Sequence, residues 1–202
     1  MPTDKCFVSL LMVWLSFVSS GPGLARAEEF VPLFNGQNLD GWVNVNCAPE
    51  TWTVRDGMII CTGKPTGVLR TAKQYENFVL ELEWRHIHKG GNAGLFIHSD
   101  AITAPGVPFT RSIEIQIMDG NHGDVFAIHG ATLTPDKPHP KGWMRSLPSE
   151  KRTHPAGGGW NQYRVESRDG MVTLSVNGEV VTRAFHCNPR KGYICLESEG
   201  SE

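Results

Sequence analysis

From Phe78 to His88 apolar and polar residues alternate, with Phe78, Leu80, Leu82 and Trp84 on one parity and Glu81, Glu83 and Arg85 on the other. Successive side chains on a strand point to opposite faces, so this stretch is predicted to be a long strand with a core face and a charged face. Ala93 to His98 follows the same rule, Ala93, Leu95 and Ile97 opposing Phe96 and His98. In Arg111 to Asp119, Ile113, Ile115 and Ile117 are expected to enter a core while Glu114 and Gln116 share the opposite face. Those two are separated by about 6.6–6.8 Å of rise, close enough to touch one sugar ring. Asp119 has the other parity and joins Glu114 only if a bulge near Met118 shifts the register by one residue.

The rest of the chain reads as short strands separated by turns. Phe30 to Phe34 ends at Asn35-Gly36, and Thr51 to Arg55 and Met58 to Thr62 flank the hairpin dipeptide Asp56-Gly57. Asp124 to Ile128 is a further short strand. Trp160 to Ser167, Met171 to Val176 and Glu179 to Thr182 form a meander through Asp169-Gly170 and Asn177-Gly178, and Gly192 to Glu197 is the last strand. Ser99 to Thr110 is read as a surface loop. Gly130 to Gly159 carries five prolines and no sustained period, and a loop that long is expected to border a ligand site. No span keeps a helical period for ten residues, so the fold is predicted to be all-β, with two packed sheets.

The first residues stand apart. Lys5, the apolar run Phe7 to Val18 and Ala25-Arg26-Ala27 have the form of a secretory signal peptide cut after Ala27, and the run is too short for a spanning helix. Residues 28–202 then suit a single domain. The formal charge is −2, and about −3 once Asp4, Lys5 and Arg26 are set aside, with no basic block to attract nucleic acid or anionic lipid. Cys47, Cys61, Cys187 and Cys195 permit two disulfides, most simply as the local pairs 47–61 and 187–195, or remain four buried thiols. The absence of C-x-x-C spacing argues against zinc or redox roles.

Several segments together carry a resemblance. They are Leu33-Phe34-Asn35-Gly36 with Leu39-Asp40-Gly41-Trp42, Trp52 to Gly57, Phe78 to Arg85, Gly91-Asn92-Ala93-Gly94-Leu95, Ile113-Glu114-Ile115-Gln116 with Asp119, Trp160-Asn161 and Val176-Asn177-Gly178. The chain resembles the 3-keto-disaccharide hydrolase domain family of exported planctomycete and Bacteroidetes proteins. The resemblance implies a concanavalin-like jelly roll that cleaves glycosides whose glucosyl ring carries a ketone at C3, using a carboxylate on the concave sheet face. It also implies a closing strand beyond Leu196 to Gly200, which the sequence to Glu202 does not contain.

A ketone at C3 acidifies the hydrogen at C2, so the site needs a base, an enolate stabiliser and an acid for the leaving oxygen. Direct glycoside hydrolysis would instead use two carboxylates flanking the bond. Glu114 is the first choice for base and Asp119 the candidate second carboxylate. Arg85 is the candidate oxyanion partner and His98 a candidate acid or base. Gln116, Glu83, Asn92 and Trp143 are candidate sugar contacts, Trp143 as a stacking platform. Each has a bland alternative: an ion-paired glutamate or arginine, a turn-capping Asp119 or Asn92, a structural histidine. No cofactor is required by the sequence, although a divalent cation would suit an enolate if His86 and His88 found a third ligand in His98, Glu83 or Glu114. The competing functions are a non-catalytic carbohydrate-binding module and a structural or adhesion domain, since the fold alone decides nothing. Oligomeric state is not specified.

Overall fold

The structure, a computed structural model, describes residues 14–16 and 30–200. In chain order the first strands are β1 (Trp14–Ser16), β2 (Val31–Pro32), β3 (Trp42–Val45), β4 (Trp52–Arg55), β5 (Met58–Cys61) and β6 (Gly67–Thr71). There follow β7 (Phe78–Trp84), β8 (Gly94–Ser99), β9 (Ser112–Gln116), β10 (Val125–Ile128), β11 (Thr132–Pro135) and β12 (Arg145–Ser146). The last are β13 (Asn161–Arg168), β14 (Met171–Val176), β15 (Glu179–Asn188) and β16 (Tyr193–Ser198). The one helical element among the described residues is a single 3-10 turn at Pro49–Thr51. None is long and apolar enough to cross a membrane.

Two seven-stranded antiparallel sheets face each other. The first has the order β11-β15-β14-β13-β7-β1-β2 and the second β12-β10-β9-β8-β16-β6-β3, with β4-β5 as a separate hairpin. Of the expected leader, only Trp14–Ser16 falls among the described residues, where its backbone pairs with β7 and β2. The rest of residues 1–27 lies outside them.

The alternation seen in the sequence builds the core. Leu80, Leu82 and Trp84 of β7, Leu95 and Ile97 of β8, and Ile113 and Ile115 of β9 all lie in one apolar cluster between the sheets. Burying each such side chain contributes on the order of 1.5–3 kcal/mol. The predicted hairpins close through left-handed pairs, Asp56 and Gly57 at φ 52° and 73° and Asn177 and Gly178 at 49° and 89°, the geometry that matches strand twist.

The four cysteines are free, the thiol alternative rather than the disulfide one, with Cys61, Cys187 and Cys195 buried and Cys47 half-buried. The pair 187–195 cannot form because Cys187 belongs to the core between the sheets, whereas Cys195 belongs to a second apolar cluster with Val68 and Phe96 on the outer face of the second sheet. The 130–159 region is only partly irregular, since β11 and β12 lie in it. Strand β6 escaped prediction because it is buried on both faces and therefore lacks alternation, and β3 because it is only four residues long.

Candidate active site

The outer face of the second sheet can be assembled from strand register. Glu114 of β9 faces Phe126 on one side and Phe96 on the other, and Phe96 faces Cys195 of β16. In the adjacent row Gln116 faces Gly94, and the Leu95–Leu196 pairing sets Gly94 beside Glu197, which faces Val68. Glu114 and Glu197 therefore share this face with only a glycine between them. A Cβ at Gly94 would lie 2.8 Å from Glu197 Oε2 and 2.9 Å from Glu114 Oε1. The missing side chain is the space in which the two carboxyl groups meet. Beyond them Asn92 bridges to Glu199, its Nδ2 donating to Glu199 Oε2.

Both central carboxyls are nearly out of solvent, Glu114 at 5% exposure and Glu197 at 3%. Burial first, and then the charge of Glu199, raises the Glu114 pKa to about 8, with Arg145 pulling the other way. Glu197 is raised well above the usual range by burial, Glu114 and Glu199, and Glu199 is raised by burial. Two buried carboxyls so close cannot both ionise cheaply, so loss of the first proton makes the second harder to remove. Among the described residues Glu197 Oε2 and Asn92 Oδ1 are buried with no hydrogen-bond partner, and Glu197 Oε2 borders the space over Gly94 where a ligand would complete it. Arg145 comes from the edge strand β12, beside Phe126. Its Nε donates to Asp124 Oδ2, and its guanidinium carbon sits 4.7 Å from the Phe126 ring centroid and 6.0 Å from that of Trp143. Trp143 is half exposed and stacks on His139 at 4.4 Å, at the rim of this face.

Of the residues singled out in the sequence, Glu114, Gln116, Asn92 and Trp143 fall on or beside this face. Gln116 accepts at Oε1 from the Ile117 amide. The others fall elsewhere. Asp119 does not rejoin Glu114: Ile117 donates to Ala93 O and Asp119 to Gly91 O at regular two-residue spacing, so no bulge intervenes, and its carboxylate accepts from the Gly90 amide. That is the turn-capping role. Glu83 and Arg85 lie on or just past β7, in the first sheet, on the face away from the core; Arg85 packs 4.7 Å from the Trp160 ring. His98 is turned inward by an extra residue in β8 opposite Tyr193–Cys195, at φ 53°. There its Nε2 shares a 2.7 Å hydrogen bond with Ser167 Oγ across the core, and burial lowers its pKa to about 4.

The proposed cation ligands also diverge. His86 is buried, its Nε2 2.7 Å from Ile117 O, His88 is exposed, and among the described residues no three His, Cys, Asp or Glu side chains converge on one metal position. Glu197, Glu199 and Arg145 were not picked out from the sequence. The available signal for the first two was parity with Ile194 and Leu196, core residues that put Glu197 and Glu199 on the opposite face at the end of β16.

The curated 3-keto-disaccharide hydrolase of Bacteroides thetaiotaomicron is 26% identical over 175 residues, covering 77% of this chain. This chain spans 58% of that relative's length. Among solved structures, a candidate glycosyl hydrolase of Parabacteroides distasonis superposes with a TM-score of 0.62 at 22% identity, covering 87% of this chain and 93% of that one. Carbohydrate-binding module CBM66 of Bacillus subtilis superposes with a TM-score of 0.57 at 13% identity, covering 79% and 88%. These structures share the jelly-roll sandwich. Residues 29–202, which include both carboxylate-bearing strands, match the 3-keto-alpha-glucoside-1,2-lyase-like domain, and the chain belongs to that family.

Proposed function

We propose that this protein cleaves the glycosidic bond of 3-keto-glucosides, and that Glu114 and Glu197 are its proton-transfer pair. The observation that carries the reading is the meeting of these two buried carboxyls over Gly94, in a chain of this family. A base and an acid close together, sharing one proton, are what the chemistry requires.

In this reading ionised Glu114 takes the hydrogen from C2, and the electron pair of that bond forms the enolate with the C3 oxygen. Collapse of the enolate restores the C3 carbonyl, makes a double bond between C1 and C2, and breaks the C1–oxygen bond. Glu197 gives its proton to the departing oxygen. Water adding at C1, with a proton returned to C2, completes a net hydrolysis; release before that step is a lyase outcome. Arg145, whose charge reaches Glu114, is the cation available to an enolate oxygen. Gln116 and Asn92 offer amide contacts to ring hydroxyls, and Trp143 a stacking surface. The leader read in residues 1–27 makes this a periplasmic or extracellular activity.

Incubation with 3-keto-trehalose and with trehalose tests the reading. The expected result is release of glucose from the keto sugar alone. Binding of sugar with cleavage of neither would instead favour a carbohydrate-binding module.

The pair also sets a pH dependence. Rate should rise as the pair loses its first proton and fall as it loses the second, with the rising limb displaced from the ordinary glutamate range toward about 8. In Glu197→Gln the alkaline fall should disappear, because the group that loses the second proton is gone. A profile of kcat/KM identical in shape to that of the wild type would remove Glu197 from proton transfer.

A further inference from the structure

The same outer face is walled on one side. Phe96 and Cys195 lie in the row of Glu114, yet both are 0% exposed on a face that no sheet covers. What covers them is the loop between β8 and β9. Phe109 meets Phe96 edge to face with centroids 5.9 Å apart and is backed by the His129 ring. This loop is fastened along its length. Arg111 forks both oxygens of Asp100 at 3.0 Å, and Ser99 Oγ donates to Thr110 Oγ1 at its base. Arg70, from β6 across the sheet, donates to Ala101 O at 3.0 Å. Ala104 donates to Phe109 O, closing a turn that holds the ring down. A loop tied at both ends and in its middle, with a buried aromatic beneath it, is a fixed part of the site. On the opposite side, toward β10 and β12, Phe126 and Arg145 are partly exposed and Trp143 is half exposed, so a ligand reaches the carboxyls from there.

We propose that the Asp100–Thr110 loop, through Phe109, makes this a blind-ended site that accepts a terminal sugar ring and excludes a ring in the interior of a chain. This rests on the glycoside-cleaving reading above and adds to it the class of substrate: small glycosides, or chain ends, with the oxidised ring last. A chain running past the site in both directions would have to displace Phe109 from Phe96.

The test compares two glucose trisaccharides, one oxidised at C3 of the terminal non-reducing ring and the other at C3 of the middle ring, and adds maleimide labelling of Cys195 read by peptide mass. The wild type should favour the terminal isomer by at least about 100-fold and leave Cys195 unlabelled while folded. Phe109→Ala should reduce that preference at least tenfold and raise Cys195 labelling at least tenfold; Phe109→Leu serves if the alanine variant does not fold. Equal cleavage of both isomers by the wild type would overturn the proposal. So would Cys195 labelling in the wild type as fast as in unfolded chain, or an unchanged preference in a variant whose Cys195 has become reactive. If neither trisaccharide is cleaved, the catalytic reading fails by itself. Calorimetric binding then decides the wall: tighter binding of the terminal isomer supports it, and equal binding sinks it.

Discussion

Glu114→Gln should lose at least about 10³-fold in kcat while becoming more stable at pH 8. The first effect follows from the proposed role. An amide has nearly the shape and hydrogen-bonding reach of the carboxyl but cannot take a proton from C2, and a positioned acid or base typically supplies 10²–10⁴-fold. Because the amide still fills the site, sugar affinity should change little. The second effect follows from the raised pKa. In the unfolded chain Glu114 ionises at the ordinary 4.5, whereas in the folded protein it does so at about 8. The folded state therefore binds the extra proton between those values. Its stability contribution is full below 4.5, falls as pH rises through the window, and is lost above about 8. Glutamine carries no such loss, so at pH 8 the variant should gain on the order of a few kcal/mol, at about 1.4 kcal/mol for each pKa unit. At pH 4 the two proteins should differ little. Thermal melts at the two pH values, beside single-turnover kinetics on the keto disaccharide, measure both signs. Unchanged turnover would remove Glu114 from the mechanism. A variant less stable than wild type at pH 8 would mean that the buried carboxylate is held by partners that outweigh its desolvation.

Alternation made β7, β8 and β9 legible, because each has one face in the common core. It also ranked Glu114 correctly as a residue on the opposite face. It could not show which sheet a strand joins. Glu83, Arg85 and Glu114 have equivalent patterns, but β7 and β9 lie in different sheets, so a parity argument placed together residues that the fold holds on opposite outer faces. His98 failed for a local reason: one extra residue in β8 reverses the face of everything after it. No bulge interrupts β9 at Met118, and one occurs at the end of the neighbouring β8 instead. Glu197 was within reach, since it sits on a strand that was read correctly. Its importance comes from the cross-strand neighbour Gly94, and register between β16 and β8, 100 residues apart in sequence, is tertiary information.

Gly94→Ala should lower kcat about 100-fold without unfolding the protein, and it is the sharper test of the pair because it alters neither carboxyl. Gly94 is not among the glycines with positive φ, so alanine costs nothing in backbone strain, and replacing glycine in a strand tends to stabilise through the unfolded chain. The cost is local. The new methyl would stand 2.8 Å from Glu197 Oε2, 2.9 Å from Glu114 Oε1 and 3.0 Å from Phe96 Cε1. Phe96 is fully buried beneath Phe109 and has nowhere to go. The two carboxyls can yield only by turning away from each other, which parts the base from the acid. A displacement of about 1 Å at reacting groups can cost 10²-fold in rate. Separation of the carboxyls also weakens the repulsion by Glu114 that holds the second proton on Glu197, so the falling limb of the pH profile should move down in the same variant. A purely structural effect of the methyl would lower the amount of folded protein and leave that limb where it was. If Gly94→Ala keeps full activity with an unshifted profile, the carboxyls do not work across that glycine, and Glu114 must act without Glu197.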